Sequence, residues 1–425
     1  MMLDEEEKLI KVFSLSKEEI KKEFQDCFKN QEFDIRISRN ARWIDQKCTP
    51  DVICAVSDII INITEKCPNK EFTTKDVWFS SYAKKVVIDQ FNKADSEKNT
   101  TKAEYDKFFQ QQLNLLAYSG ILNKDKKGRV NVYSVAERLL LFYISLGEKQ
   151  TLLFLKLYIK EVLEKSNMLD KFKKFFEQQT ENKFEQLKRE FYEFSVKNTP
   201  INKKLECNRI FPKVLNPLAE GLHKKGAIRG RLSKDNILFN DLMYNKKNFR
   251  DIYSGKPKNI SRTEWLKENP IPKSKRCKFK SESIKAKRLV RLYNIEYFGQ
   301  KPEIQDELAT GKALQMHHIF PEHEKPEISG YTENIIALTP SQHFQKAHPN
   351  NDTMSINLQY QEQLLKAKAY IIDCSISQKK WSQIYSFDRF ATVIRIGFNL
   401  DRPEKEYNNY TSALNEIEQY YKKIN

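Results

Sequence analysis

Five of the six histidines in this 425-residue chain fall within one short stretch near its C-terminal end. Imidazole is a common metal ligand, and its ordinary pKa lets it accept a proton near neutral pH. A dense histidine cluster therefore indicates metal-assisted hydrolysis. The clustered residues are His317, His318, His323, His343 and His348.

The sequence around the cluster predicts the elements that position it. An apolar alternating run through residues 313–316 leads into the first two histidines, and Pro321 stops it as a strand. Residues 334–338 are predicted as a second short strand. Thr339 followed by a proline is typical of a helix start, and His343 lies one turn into that helix. The expected order is strand, loop, strand, helix.

This order resembles the HNH, or ββα-metal, nuclease motif, in which a histidine pair precedes an asparagine and a helical histidine nine residues further on. Asn334 and His343 have that separation of nine. The resemblance implies that His317 and His343 hold one divalent cation. It also implies that His318 is the general base and that Asn334 fixes the loop that orients it. The cation expected is Mg²⁺. Mn²⁺, Ni²⁺ or Zn²⁺ are alternatives, because a histidine at 317 replaces the aspartate of many relatives.

Physical chemistry supports this division of roles. Adjacent strand residues point to opposite sides, so His317 and His318 cannot easily bind the same ion. One can bind metal while the other faces a water and takes its proton. A cation held by two imidazoles keeps open positions for phosphate oxygens, where it neutralises charge in the transition state.

The remaining histidines divide into one open case and two surface residues. His348 lies five residues after His343, about 140° around a regular helix, so both could not bind one ion from an unbroken helix. Pro349 disfavours helical geometry at His348, which leaves His348 open as a third metal ligand. His323 and His223 are expected to be solvated.

A structural metal site is the main alternative for the cluster. Structural zinc sites usually close with four Cys or His ligands, often from CxxC pairs. The seven cysteines of this chain are scattered and form no CxxC pair. A catalytic site is therefore the favoured interpretation.

Charge points to a polyanionic partner. The formal net charge is +17 and the pI is about 9.3. Residues 255–301 carry fourteen Lys or Arg against four Glu. Because this basic segment precedes the nuclease-like motif, contact with DNA phosphates is favoured over a solvated linker. The basic residues expected to contact DNA there are Lys275, Arg276, Lys278 and Lys280.

The N-terminal part has the order expected of a winged helix. Helices are predicted from Asp51, from Thr73 with Asp76 as its capping partner, and from Thr101, and a hairpin follows with its turn at residues 124–128. An ordinary helix pair with a surface hairpin is the alternative. Beyond the hairpin, residues 149–254 are predicted to be helical. The basic residues expected to reach DNA from these regions are Lys126, Lys127, Arg129, Arg229 and Arg231.

Residues 40–52 contain Asp45, Lys47 and a Pro-Asp pair. These residue types occur in the PD-(D/E)xK nuclease core, but the order is reversed here. The segment is therefore predicted to be a structural or DNA-positioning element.

The sequence predicts a mainly α chain with small β elements, organised in several domains. No coiled-coil heptad or long apolar segment is evident, and no membrane partner is expected. The predicted regions are a winged-helix-like DNA-recognition region at 1–148, a helical DNA-binding or scaffold region at 149–254, a basic segment at 255–300, an HNH nuclease domain at 301–375 and a helical region at 376–425.

This organisation resembles that of type II restriction endonucleases of the HNH class. The resemblance implies sequence-specific cleavage of double-stranded DNA and a cognate DNA methyltransferase as a functional partner. A single nuclease motif suggests a monomer that associates transiently with a second copy on DNA. Scattered cysteines and an acidic N-terminus fit a cytoplasmic protein. The alternatives are another HNH nuclease of the homing, anti-phage or nicking type, and a DNA-binding regulator with an inactive HNH fold.

Overall fold

The computed structural model describes residues 9–91, 102–244, 275–348, 356–378, 384–400 and 409–424. These residues are mainly helical with small antiparallel sheets, which confirms the predicted fold class at that level. The chain divides into two compact units. We call residues 18–84 and 91–271 the hairpin unit, and residues 1–17, 85–90 and 272–425 the histidine unit. Among the described helices, none is long and apolar enough to cross a membrane.

The first half of the hairpin unit is built around one buried helix. Thr49 occupies the N-cap position and Pro50 the first helical position, a combination that favours a helix start. The side chains of Val52 to Ile61 are all buried in this helix. The elements of this half are α1 (Lys17–Phe28), α2 (Ile35–Ser38), α3 (Pro50–Ile63), β1 (Phe72–Thr73), α4 (Thr74–Trp78), α6 (Lys102–Tyr118), β2 (Leu122–Lys127) and β3 (Val130–Val135). Between α4 and α6 lies α5 (Ser81–Phe91), of which residues 85–90 are assigned to the histidine unit.

The predicted helix starts and hairpin are largely confirmed. The Thr73 hydroxyl accepts from the backbone of Asp76 and the Asp76 carboxylate accepts in return, which completes the capping box. Thr101 lies outside the described residues. The hairpin turn was predicted too long, because residues 124–127 belong to β2. Gly128 has a φ of +64° and, with Arg129, closes a two-residue loop. The sheet order is β1-β3-β2.

The second half of the hairpin unit continues with helices and ends in another hairpin. The helical prediction is correct through residue 221, but it is wrong for residues 225–236. Arg229 and Gly230 both have positive φ angles there, 52° and 80°, which closes a tight antiparallel turn. The elements are α7 (Arg138–Leu146), α8 (Glu148–Lys165), α9 (Leu169–Glu177), α10 (Glu181–Asn198), α11 (Lys204–Gly221), β4 (Lys225–Ile228), β5 (Arg231–Asn236) and a 3-10 turn (Phe239–Leu242).

Residues 40–52 hold the hairpin unit together. The buried Lys47 forms an ion pair with Glu104 of α6, and its ammonium also lies 3.0 Å from the hydroxyl oxygen of Tyr244. The backbone N–H of Tyr244 donates to both carboxylate oxygens of Asp51 at 3.0 Å. These contacts agree with a structural role for the segment.

The histidine unit places a small hairpin among helices. Its elements are α12 (Lys275–Phe298), β6 (Gln315–His318), β7 (Ile335–Leu338), a π-helical turn (Gln342–Ala347), α13 (Leu358–Ser377), α14 (Phe387–Gly397) and α15 (Tyr410–Ile424). The side chain of Gln361 on α13 donates to the Ile319 carbonyl at 2.8 Å, which anchors the end of β6. A fully buried ion pair joins Lys368 of α13 to Glu303 at 2.8 Å.

Candidate active site

The β6–β7 hairpin sets the direction of the two adjacent histidines. His317 pairs with Ile336 and His318 with Ile335 in an antiparallel register. Because successive side chains on a strand point to opposite faces, the two imidazoles diverge. His317 lies beside the helical histidines, whereas His318 contacts the loop that joins the two strands. The predicted strand–loop–strand–helix order is therefore present.

Three histidines converge on one point. The ligand nitrogens of His317, His343 and His348 all lie within 4.8 Å of one another. Two nitrogens bound to the same ion at about 2.1 Å can be at most about 4.2 Å apart, so small side-chain rotations would close the set around a cation. The Nδ1 atom of His343 is buried without a hydrogen-bond partner among the described residues. This orphaned acceptor fits a metal ligand.

A π-helical turn explains why His348 joins the cluster. The backbone N–H of His348 donates to the carbonyl of His343 at 3.1 Å, a bond between residues five apart. In this geometry residues five apart stack on one face, whereas a regular helix would separate them. The two rings lie 4.7 Å apart between centroids. The assumption of a regular helix at this point was wrong, and Pro349 lies outside the described residues.

A capping box begins this helical turn. The Thr339 hydroxyl accepts from the backbone N–H of Gln342 at 3.1 Å, and the Gln342 side chain accepts from the backbone N–H of Thr339 at 3.0 Å. The Gln342 amide also donates to the Ile304 carbonyl at 3.0 Å. The predicted start at Thr339 is therefore confirmed, with a glutamine that fixes where His343 emerges.

Burial favours the uncharged form of His317 and His343. Burial lowers the pKa of His317 well below its ordinary value, and the neighbouring histidines lower it further. Burial also lowers the pKa of His343 to about 4, with contributions from His348 and Lys287. A neutral imidazole is the form that binds metal. His317 and His343 can thus bind a cation without first having to lose a proton.

His318 is oriented by a backbone carbonyl. Its Nε2 lies 3.0 Å from the carbonyl oxygen of Ser329. A carbonyl can only accept, so Nε2 carries the proton and Nδ1 keeps its lone pair. Burial, together with the positive charge of Lys287, lowers the pKa of His318 to about 4. The arrangement leaves a neutral imidazole with one nitrogen able to accept a proton.

Asn334 ties both ends of the loop between the strands. Its side-chain oxygen accepts from the Phe320 backbone N–H at 2.9 Å. Its amide donates to the carbonyls of Phe320 and Ile328, at 3.0 and 3.3 Å. The Ile328 carbonyl immediately precedes Ser329, which orients His318. Asn334 is completely buried, and its contacts match the loop-fixing role that the resemblance implies.

Helix α12 contributes two residues that the sequence analysis did not connect with the site. The Ser283 hydroxyl lies 3.4 Å from Nε2 of His318 and donates to the Glu322 carboxylate at 3.2 Å. Lys287 is one helical turn further along the same face. Its charge lowers the pKa of His317, His318 and His343. The four-residue spacing was visible in the sequence, but its alignment with β6 was not.

The other predicted site residues are spread over both units. Lys126 and Lys127 are exposed on β2, Lys127 pairs with Glu71, and Arg129 is exposed in the adjoining turn. Arg229 and Arg231 are exposed at the tip of the β4–β5 hairpin. The side chains of Lys275, Arg276, Lys278 and Lys280 lie outside the described residues, although their backbone begins α12.

The remaining histidines lie apart from the cluster, as predicted. His323 is partly exposed and its ring nitrogen is 3.6 Å from the Glu324 carboxylate. His223 is exposed and has a positive φ angle of 53° after helix α11. Neither belongs to the three-histidine group.

No protein-family model, curated protein or solved structure matches this chain. Function is therefore inferred from the motif and from the geometry of its residues.

Proposed function

We propose that this protein is a metal-dependent endonuclease that cuts double-stranded DNA at specific sequences, as type II restriction enzymes of the HNH class do. The observation that carries the proposal is the separation of roles across β6. Three imidazoles converge on one side of the strand, and His318 is fixed by a loop carbonyl on the other. In-line hydrolysis needs these two elements, a cation and a positioned base.

Each residue then has a defined task. His317, His343 and His348 hold a divalent cation, which would neutralise charge on the phosphate oxygens and on the departing 3′ oxygen. His318 takes the proton of the attacking water through Nδ1, while its Nε2–H stays bonded to Ser329. Lys287, on the α12 face that carries Ser283, supplies a further positive charge for the phosphate.

The donor set bears on which cation binds. All three candidate ligands are imidazole nitrogens. Nitrogen donors suit Mn²⁺, Ni²⁺ or Zn²⁺, whereas Mg²⁺ prefers carboxylate and water oxygens. Within the expected set of cations, we therefore favour one of the former over Mg²⁺.

The hairpin unit supplies DNA binding in this proposal. The order α3, β1, α4, α5, α6 and then a β2–β3 hairpin, with sheet order β1-β3-β2, supports a winged-helix assignment in which α5 is an additional helix. Such modules place their third helix in the major groove and the hairpin on the backbone. The exposed basic residues at the hairpin tip, Lys126 and Arg129, support that docking.

A plasmid digest tests the function. Protein stripped of metal with a chelator is supplied with Mg²⁺, Mn²⁺, Ni²⁺ or Zn²⁺ and incubated with supercoiled plasmid. Discrete fragments with at least one cation are expected. A smear would indicate a nuclease without sequence specificity, and an open circle alone would indicate a nickase. A gel shift without any cleavage would replace the proposal with a DNA-binding regulator.

A further inference from the structure

The hairpin unit contains the same helix–hairpin arrangement twice, and we call each copy a module. Helix α6 leads into the β2–β3 hairpin, and α11 leads into β4–β5. Both helices carry the pattern Leu-Asn-x-Leu-Ala, at residues 113–117 and 215–219. Each asparagine bonds to the hairpin that follows it. Asn114 accepts from Lys124 at 2.7 Å, and Asn216 exchanges bonds of 2.9 and 2.7 Å with the backbone of Ala227.

A groove of about 620 Å³ lies between these two helices. On α6 its wall consists of residues spaced three or four apart, which places them on one helix face. On α11 the wall comes from its first turns, where Leu205 is 61% exposed. The α6 wall is formed by Lys107, Gln110, Gln111 and Asn114.

The groove continues toward the first hairpin. An adjoining cavity of about 360 Å³ shares Arg42 and Asn114 with it and reaches Lys124 on β2. Arg42 ties the two modules together, since its guanidinium lies 2.7 Å from the Asp45 carboxylate and 2.6 Å from that of Glu206 on α11. One continuous surface therefore joins the two helices and a hairpin.

Charge and hydrogen-bonding capacity match duplex DNA. Lys107, Lys203 and Arg209 form no ion pair with any residue that the structure describes, so the rim is cationic. Gln110 is exposed at the centre of the α6 wall, and its amide has no partner in the described part of the chain. Glutamine can bond both N6 and N7 of adenine, and arginine both O6 and N7 of guanine. An exposed leucine suits a thymine methyl group.

We propose that this groove is the sequence-reading surface, formed jointly by both modules, with Gln110 and Arg209 contacting base edges in the major groove. Lys107 and Lys203 contact phosphates at its rim. Leu205 lies between Lys203 and Arg209 and packs against the bases. This inference rests on the proposed action on double-stranded DNA and adds which residues choose the sequence.

Selection from a randomised duplex library tests it. The full-length His318→Ala chain, loaded with the active cation, would be used so that bound DNA stays intact. The sequences that it enriches would be compared with those enriched after Gln110→Ala or Arg209→Ala is added. We expect each change to remove the preference at one position of the site and to weaken binding of the preferred sequence roughly 5- to 150-fold. Binding of unrelated duplexes should change less than about twofold.

Two matched variants control for loss of charge and of an amide elsewhere. Arg189→Ala alters an exposed residue of α10, and Gln363→Ala an exposed residue of α13. Both should leave the enriched sequence unchanged. Circular dichroism of every variant would check that it is folded. Unaltered preference in folded Gln110→Ala and Arg209→Ala proteins would overturn the proposal.

The outcomes separate this inference from the nuclease function. If the chain cuts plasmid at discrete sites but both groove variants keep the same site, the groove assignment fails while the nuclease function stands. If the chain never cuts but the groove variants change the enriched sequence, the reading surface stands without the enzyme.

Discussion

The histidine cluster and the reading groove are assembled by the chain in opposite ways. All of the candidate metal ligands and the candidate base lie between His317 and His348, on β6 and in or directly after the π-helical turn. The groove takes its residues from around positions 42, 110 and 206, which are far apart in sequence. A local motif fixes its geometry through short-range contacts, whereas a composite surface requires the whole unit to fold. The first should therefore control whether DNA is cut, and the second where.

The largest effect is expected from the base. His318→Ala should lower the cleavage rate about 10²- to 10⁴-fold, because it removes the proposed general base. DNA affinity and the enriched sequence should stay as in the unmodified chain. The measurement is a single-turnover plasmid digest beside a gel shift. His323→Ala is the matched control, since it removes a nearby imidazole that is paired with Glu324 outside the cluster. A His318→Ala enzyme within a few-fold of the unmodified rate would remove this residue from the role.

The next effect concerns the third histidine. Loss of residues that only support metal ligands typically costs 10- to 100-fold in affinity, so loss of a ligand should cost at least about that much. We expect His343→Ala and His348→Ala to weaken binding of Zn²⁺ or Mn²⁺ by similar factors in titration calorimetry. His323→Ala should bind normally. Unchanged affinity in His348→Ala would mean that two histidines bind the metal. The π-helical turn would then have a structural role alone.

A third difference between the two regions lies in how strongly each is held together. Asn334→Ala would remove the side chain that pairs with the buried backbone N–H and carbonyl of Phe320, and each unsatisfied buried group costs about 1–3 kcal/mol. Arg42→Ala removes ion pairs of a side chain that is half exposed, and such pairs contribute at most about 1 kcal/mol. Urea unfolding should therefore show the larger loss for Asn334→Ala. The comparison fails if Arg42→Ala proves the more destabilising change.

The sequence predicted the histidine site better than any other part because its signals are local. Strand alternation, the Thr339–Pro340 start and the spacing from Asn334 to His343 each involve a few residues. The π-helical turn was missed, since five-residue hydrogen bonding has no distinctive residue pattern and depends on packing around the turn. The role of Ser283 was also missed, because its distance from His318 depends on how α12 packs on the hairpin.

Local signals also account for what was and was not predicted in the hairpin unit. The first hairpin was recognised from its lysine-rich turn and Gly128. The second was assigned to helix, although Arg229-Gly230 provides a comparable tight turn. Arg209 and Gln110 could not be connected from sequence, because nearly one hundred residues separate the two positions. The fold brings the two residues together, because both line the same groove.

The smallest expected effect distinguishes the two hairpins. Removing Lys126 and Arg129 from the first, or Arg229 and Arg231 from the second, should weaken DNA binding without altering the enriched sequence, because phosphate contacts carry no sequence information. If both residues of a pair touch phosphate, the log–log salt dependence of binding should become shallower by about 1.8, or 0.9 for each lost contact. Fluorescence anisotropy across a salt series measures this slope. Lys127 is left in place because it already pairs with Glu71.

A slope that changes for both hairpins means that both modules lie on the duplex at once, as a shared reading groove requires. A change for the first hairpin alone would confine DNA contact to the first module and count against a reading surface formed by both helices.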